Sequence, residues 1–359
     1  MTLHEIAQLR LINQRLINSP TSTPQATVEW MGAMQAQDYP GAKWSLGLRT
    51  PGATEANIEH AVAQGTIIRT WPMRGTLHFV PTKDAPWMLS ATTARPLASA
   101  ATRHKQLGLT SQVLQDGAQI LVDTLRNSPT PVIRKNLMEA LEKHGIATKE
   151  QRGYHIIWWA AQHGLLAVGP LHGKQPTFVA LTTSQQPLLT TQEAIDRLAQ
   201  RYFMSHGPAS VKDFAWWSSL TVKDVRQAIE RISNQLTCIV FDSTEYWLDK
   251  HSALTDQSSV LLLPGFDEYL LGYSDRSAAL HRDHFTKIVP GSNGMFMPTI
   301  VIDGQVVGIW KRIIGAKKVT IQLMPFAAIS ASRNADLRAA AQRYGSYIGL
   351  PVDLQHTPS

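Results

Sequence analysis

Apolar residues recur at helical spacing through most of the chain, in blocks separated by short extended runs. Leu3, Ile6, Leu9, Leu11 and Leu16 mark an opening helix within Met1–Asn18. A second helix is expected from Thr23-Pro24, a capping hydroxyl followed by a proline suited to a first turn, and it carries Val28, Met31 and Met34. That pattern stops in Met34-Gln35-Ala36-Gln37-Asp38-Tyr39-Pro40, where Tyr39 precedes a proline and is expected to be extended. Thr54 opens a third helix through Gln64, closed by Gly65. Thr66–Trp71 and Thr76–Val80 then read as a hairpin around Pro72-Met73-Arg74-Gly75. Three helices followed by a two-stranded ribbon is the outline of a winged helix.

The outline returns twice. A helix around Gln112–Arg126 precedes Thr130-Pro131, which is expected to cap a helix over Val132–Lys143. A helix over Gln151–His163 and strands Leu165–Val168 and Thr177–Leu181 follow. In the third block, Thr190–Ser205 is a helix, and Ser210-Val211-Lys212-Asp213 and Thr221-Val222-Lys223-Asp224 are capping boxes eleven residues apart. Val211, Phe214, Trp217 and then Val222, Val225, Ile229, Ile232 keep helical spacing, so the pair reads as a helix-turn-helix. Leu236–Phe241 and Glu245–Leu248 supply its ribbon. Beyond Gln257 strands dominate. Val260–Leu263 is an apolar run, and Pro298–Ile302 pairs with Gln305–Trp310 across Asp303-Gly304, the strongest hairpin signal in the chain. Val319–Leu323 and a closing helix over Asp336–Tyr347 complete a small β-rich region.

At 359 residues the chain should hold two to four domains. Its 43% hydrophobic and 17% charged residues are globular values. No apolar run reaches the length of a bilayer span, and Met1–Pro20 lacks a signal-peptide layout, so a cytoplasmic protein is expected. Cys238 is the only cysteine, which excludes an internal disulfide and cysteine-based zinc sites. The net charge of +7 permits a polyanionic partner.

Several clusters could carry chemistry. Gln35 and Gln37, two residues apart where the chain is expected to unwind, would point to the same side and present two neutral amides together; a solvated surface pair is the plainer alternative. Asp267 and Glu268, in Pro264-Gly265-Phe266-Asp267-Glu268-Tyr269, are either hydrogen-bonded structural groups or a buried acid pair. His281 and His284 with Asp283 have helical metal-ligand spacing but no third ligand in register, and a polar loop explains them. Trp158-Trp159 and Trp216-Trp217 should each turn one ring to the core and one towards an interface. Arg69, Arg74 and His78 sit on the first ribbon, Lys212 and Lys223 open helices of the third block, and Lys311-Arg312 follow the last hairpin. Ribbons and helix N-termini are where winged helices meet phosphates, so these seven are candidate DNA contacts.

Four separated stretches, Met34–Pro40, Arg69-Thr70-Trp71-Pro72-Met73-Arg74-Gly75-Thr76-Leu77-His78, Pro264–Arg276 and Val307–Arg312, resemble the AlkZ/YcaQ-type DNA glycosylases, a family of bacterial alkylation-repair enzymes. The resemblance spans nearly the whole chain. It implies an α+β, mainly helical fold: three tandem winged-helix units plus a C-terminal β-rich, barrel-like domain, C-shaped around a DNA channel. The expected boundaries are 1–105, 106–186, 187–257 and 258–359. The family's catalytic motif, glutamine, a hydrophobic residue, then glutamine or aspartate, falls on Gln35, Ala36 and Gln37, in the AlkZ-like form. By the resemblance the chain is a monofunctional glycosylase that needs no cofactor or metal. It would hydrolyse the N-glycosidic bond of cationic N7-alkylated purines in double-stranded DNA, extending to interstrand crosslinks, as a monomer in the bacterial nucleoid. Asp267 or Glu268 are fallback bases. A non-catalytic winged-helix DNA-binding or regulatory protein is the alternative.

Overall fold

The computed structural model describes residues 1–181 and 189–356. The expected boundary at 186/187 and the last three residues of the expected fourth domain lie outside the described residues. Contacts divide the described chain into two compact units, residues 1–58 with 199–359, and residues 59–198.

In the first unit, the caps foreseen for the third block set its helices. Ser210 and Asp213 form a reciprocal capping box that opens Val211–Ser218. Thr221 accepts the Asp224 N–H and opens Val222–Ile232, without the reciprocal half. Leu236–Phe241 and Thr244–Asp249 pair antiparallel across Asp242-Ser243, both at positive φ, the geometry of a tight hairpin turn. Ala209 bridges Trp247, so a third extended residue joins the ribbon.

The C-terminal region of this unit is an open five-stranded sheet ordered Val352–His356, Val319–Pro325, Gln305–Ile314, Thr299–Ile302, Val260–Leu263. The expected barrel-like closure is absent: the first and last of these strands are the two edges. The helix Asn334–Ile348 explains why, because it packs along Val260–Leu263 and buries apolar surface that closure would otherwise have to cover. Ile302 and Gln305 pair across Asp303-Gly304 as the hairpin signal requires. Trp310 and Trp44 donate their indole N–H groups to the Leu263 and Leu262 carbonyls at 2.7 and 2.8 Å. Tyr344 meets both indoles edge-on at 5.4 and 5.0 Å. This aromatic knot joins the sheet to the helix Tyr39–Arg49.

That helix has no counterpart in the expectations. Every residue of it but Pro40 is buried, so it shows no polar face, and its Gly41 and Gly47 read as loop. Tyr39, expected extended, opens it. Pro40 lies in the first turn, where its missing N–H has no intrahelical acceptor to lose.

The second unit holds strands ordered Thr76–Pro81, Ile67–Met73, Leu166–His172, Gln175–Ala180, Val132–Ile133. The two foreseen ribbons are therefore joined in one sheet. Arg74-Gly75 makes the first turn at positive φ, so the strand runs on through Pro72. Val132–Ile133, expected as helix, pairs with Phe178 and Thr177, and helix begins only at Arg134. β-Branched residues beside a strand edge favour that outcome. The core gathers Leu121, Leu137, Leu141, Ile156, Leu166 and Phe178. Two further helices, Ala85–Thr92 and Ala94–Gln106, were also not foreseen; the second is largely exposed, and its apolar stripe is mostly alanine.

Gly47 tests the aromatic knot, since a Cβ there would lie 2.5 Å from Tyr347 Cε2. Gly47→Ala should destabilise the protein by about 1–3 kcal/mol, read as a lower urea midpoint with an unchanged slope.

Candidate active site

The second helix, Pro24–Met31, ends three residues earlier than expected because Gly32 takes φ 78°, which a β-carbon would strain. Met34–Gln35 is then a two-residue strand. Burial alternates along the motif: Met34 and Ala36 are buried, Gln35 is half-buried and Gln37 exposed. A period of two is that of extended chain, so both glutamine side chains leave from the same face, with Gln37 open to solvent and Gln35 Oε1 enclosed.

One carboxylate holds this strand. Glu268, 1% exposed, accepts the Gln35 backbone N–H at 2.8 Å on Oε1 and the Trp217 indole N–H at 2.9 Å on Oε2. Its Oε2 is also 3.6 Å from His206 Nε2. Glu268 thus orients the motif through the Gln35 main chain.

Its neighbour Asp267 has another task. Arg49 grips it with two parallel bonds, Nη1 to Oδ2 at 2.9 Å and Nη2 to Oδ1 at 2.8 Å. The Ser45 hydroxyl donates at 2.6 Å and the Tyr269 N–H at 2.8 Å. Four donors meet the roughly four lone-pair directions of a carboxylate, so Asp267 is a structural anchor with no acceptor turned to a substrate.

The network continues through groups the sequence did not single out. Arg49 Nη2 donates to Gln14 Oε1 at 2.7 Å, and Gln14 Nε2 donates to the Tyr273 hydroxyl at 2.9 Å. Burial pushes the Tyr273 phenol well up, so it stays protonated and donates to the His206 carbonyl at 2.6 Å. Gln14 and Arg49 lie in helical segments far along the chain from residue 268, and no local pattern marks them. The adjacent acid pair was the visible signal.

Asp38 caps no amide with its side chain. It lines a cavity of about 310 Å³ with Pro264, Trp310, Lys311, Arg312 and Gln322. Lys311 is exposed, and Arg312 lies 5.4 Å from the Tyr344 ring centre. Lys212 and Lys223 are exposed, and Lys212 borders a 760 Å³ groove with Arg226, Glu230 and Glu245. The ribbon residues differ. Arg69 is 4% exposed and His78 is fully buried. Arg74 is half-buried and donates to His78 Nε2 at 3.0 Å, while His78 Nδ1 donates to the Thr76 carbonyl at 2.9 Å. As folded, Arg69 and His78 are out of reach of a phosphate at the surface. Of the tryptophan doublets, Trp217 is buried and Trp216 exposed as expected, whereas Trp158 and Trp159 are both half-buried. His281 caps the turn Arg282–His284 through the Asp283 N–H, and His284 packs on Phe326.

Residues 28–347 match the family described as DNA glycosylase AlkZ-like, and the chain belongs to that family. It is 27% identical over 323 residues, 83% of this chain and 85% of the other, to the interstrand DNA cross-link repair glycosylase of Streptomyces sahachiroi. The solved structure of Streptomyces sahachiroi DNA glycosylase AlkZ shares the fold with a TM-score of 0.80, at 21% identity and over 99% of both chains. Among the described residues no helix is long and apolar enough to cross a membrane.

Two substitutions separate the carboxylates. Arg49→Met strands a buried charge on Asp267 and should cost about 3–5 kcal/mol of stability, measured by urea unfolding. Glu268→Gln turns one acceptor into a donor facing an N–H, at about 1–3 kcal/mol. It should also disorder the strand, read as broadened Gln35 and Ala36 amide resonances; sharp, unshifted signals would show that Glu268 does not hold the motif.

Proposed function

We propose that this DNA glycosylase is monofunctional and releases purines made cationic by N7 alkylation, with Gln35 and Gln37 as its catalytic residues. The observation that carries the reading is the alternation of burial along Met34–Gln37, which puts both glutamine side chains on one face of a clamped strand. An N7-alkylated purine already bears positive charge. When its C1′–N9 bond breaks, the electron pair moves onto the base and neutralises it, so the leaving group needs no proton. What remains is to orient a water and to stabilise the sugar cation, and amide dipoles fixed in place do both. In this scheme Gln37 positions the water with its carbonyl oxygen, and Gln35 supports the water or the sugar. The water oxygen bonds to C1′ and its proton passes to solvent.

The relative's name extends the substrates to interstrand crosslinks. Such a lesion cannot be fully flipped into a tight pocket, and a half-open pair of amides suits attack without full extrusion. We read the chain as three winged helices, 1–105, 106–186 and 187–257, followed by the β-rich region 258–359. Arg74, Lys212, Lys223, Lys311 and Arg312 are the proposed contacts to the duplex backbone. Family membership disfavours the non-catalytic alternative.

The test is release of free N7-methylguanine from methylated DNA by the wild type and by the Gln35→Ala/Gln37→Ala double variant, after both are shown to be folded and to bind DNA. The double variant should lose about 100-fold or more of the rate. Equal release by both would move the chemistry away from the glutamines.

A further inference from the structure

One charged group beside the glutamine motif has no partner in the fold. Asp38 follows Gln37 directly and precedes the helix Tyr39–Arg49. Its carboxylate neither caps that helix nor holds a hydrogen bond or ion pair among the described residues. The acids across from it are taken up by contrast, Asp267 by Arg49, Ser45 and Tyr269, and Glu268 by Gln35 and Trp217. Asp38 is half-buried and turns into the 310 Å³ cavity it lines.

That cavity occupies a notch in the C-terminal sheet. Thr299–Ile302 ends opposite Ile309, whereas the strand Gln305–Ile314 runs on. The Trp310 N–H still reaches the Pro298 carbonyl, at 3.2 Å, and beyond it no strand covers that edge among the described residues. Main-chain groups of an antiparallel strand alternate sides from one residue to the next. Arg312 therefore turns its N–H and C=O the same way as Trp310, into the notch. Arg312 and Asp38 line the cavity together, and its walls include the rings of Pro264 and Pro298 and the side chain of Ile313. Apolar walls with a few convergent polar groups are the pattern of a small-molecule site. At 310 Å³ it lies near the lower end of the usual range, roughly 300–1,000 Å³, which suits a single base.

The polar groups select among bases. Carboxylate oxygens accept hydrogen bonds, two side by side. The Watson–Crick edge of guanine presents two adjacent donors, N1–H and N2–H, with the O6 acceptor next to them. Asp38 can take both donors while the Arg312 N–H serves O6. Adenine would set the lone pair of its N1 against the carboxylate. The N7 atom of guanine lies on its other ring, so an alkyl group there points away from Asp38.

We infer that this cavity receives a guanine base, and that Asp38 reads its N1–H and N2–H groups and sets a preference for guanine over adenine. The inference deepens the glycosylase reading above and rests on it: the guanine is that of an N7-alkylated nucleotide turned out of the duplex.

Free N7-methylguanine titrated calorimetrically into the full chain should bind the wild type, and free N7-methyladenine should bind at least tenfold more weakly. Asp38→Asn puts a donor against a donor and should weaken N7-methylguanine binding at least tenfold. It should melt with the wild type, because the carboxylate bonds nothing in the fold. Gly41→Ala keeps the charge but moves it, since a β-carbon there would press into Asp38 Oδ2, and it should weaken binding likewise. Absence of N7-methylguanine binding by the wild type, or equal binding by Asp38→Asn, would overturn the inference. Release of N7-methylguanine from methylated DNA by the wild type is measured in parallel. Release without binding of the free base sinks the cavity and spares the glycosylase reading, whereas binding without release does the reverse.

Discussion

The bidentate pairing of Arg49 with Asp267 is the constraint on which the site depends. Both groups are buried, at 0% and 4% exposure, so each would be costly without the other. Their bond fixes the end of Tyr39–Arg49 against the turn that leads into Glu268. Glu268 in turn fixes the strand carrying the glutamines and the indole of Trp217. Gln14 ties the end of the first helix into the same cluster. Segments separated by more than 200 residues thus share one polar core, and its charge-assisted bonds fix its geometry.

The charge in this core is bound up within the scaffold. Asp267 spends its acceptors on Arg49, Ser45 and Tyr269, and Glu268 spends its own on N–H groups of the scaffold. The two residues proposed for catalysis, Gln35 and Gln37, are neutral. For a leaving group that is already cationic, neutral dipoles can serve where most N-glycosidic hydrolysis calls for an acid and a base. In the proposed mechanism the arrangement divides labour between an ionic anchor and uncharged amides.

Much of this was legible in the sequence. Short-range signals translated directly: the Ser210–Asp213 box caps a helix, and Asp303-Gly304 turns a hairpin. The Gln-x-Gln motif stood out because its amides lie where a helical pattern ends. What was not legible was long-range. Tyr39–Arg49 is buried on nearly every side, and its composition hides its helicity. Arg69 and His78 looked like surface cations on a ribbon, yet tertiary packing buries both. The open C-terminal sheet follows from a covering helix whose docking no local pattern encodes. Arg49 and Gln14 meet residues 267 and 273 only in the folded chain.

The clamp on the motif grips a main-chain amide, which every residue except proline possesses. A change of side chain at position 35 therefore leaves this bond to Glu268 available. The fold offers a fixed bracket with exchangeable tools. The ionic core beneath the strand stays the same whichever residue stands at its tip.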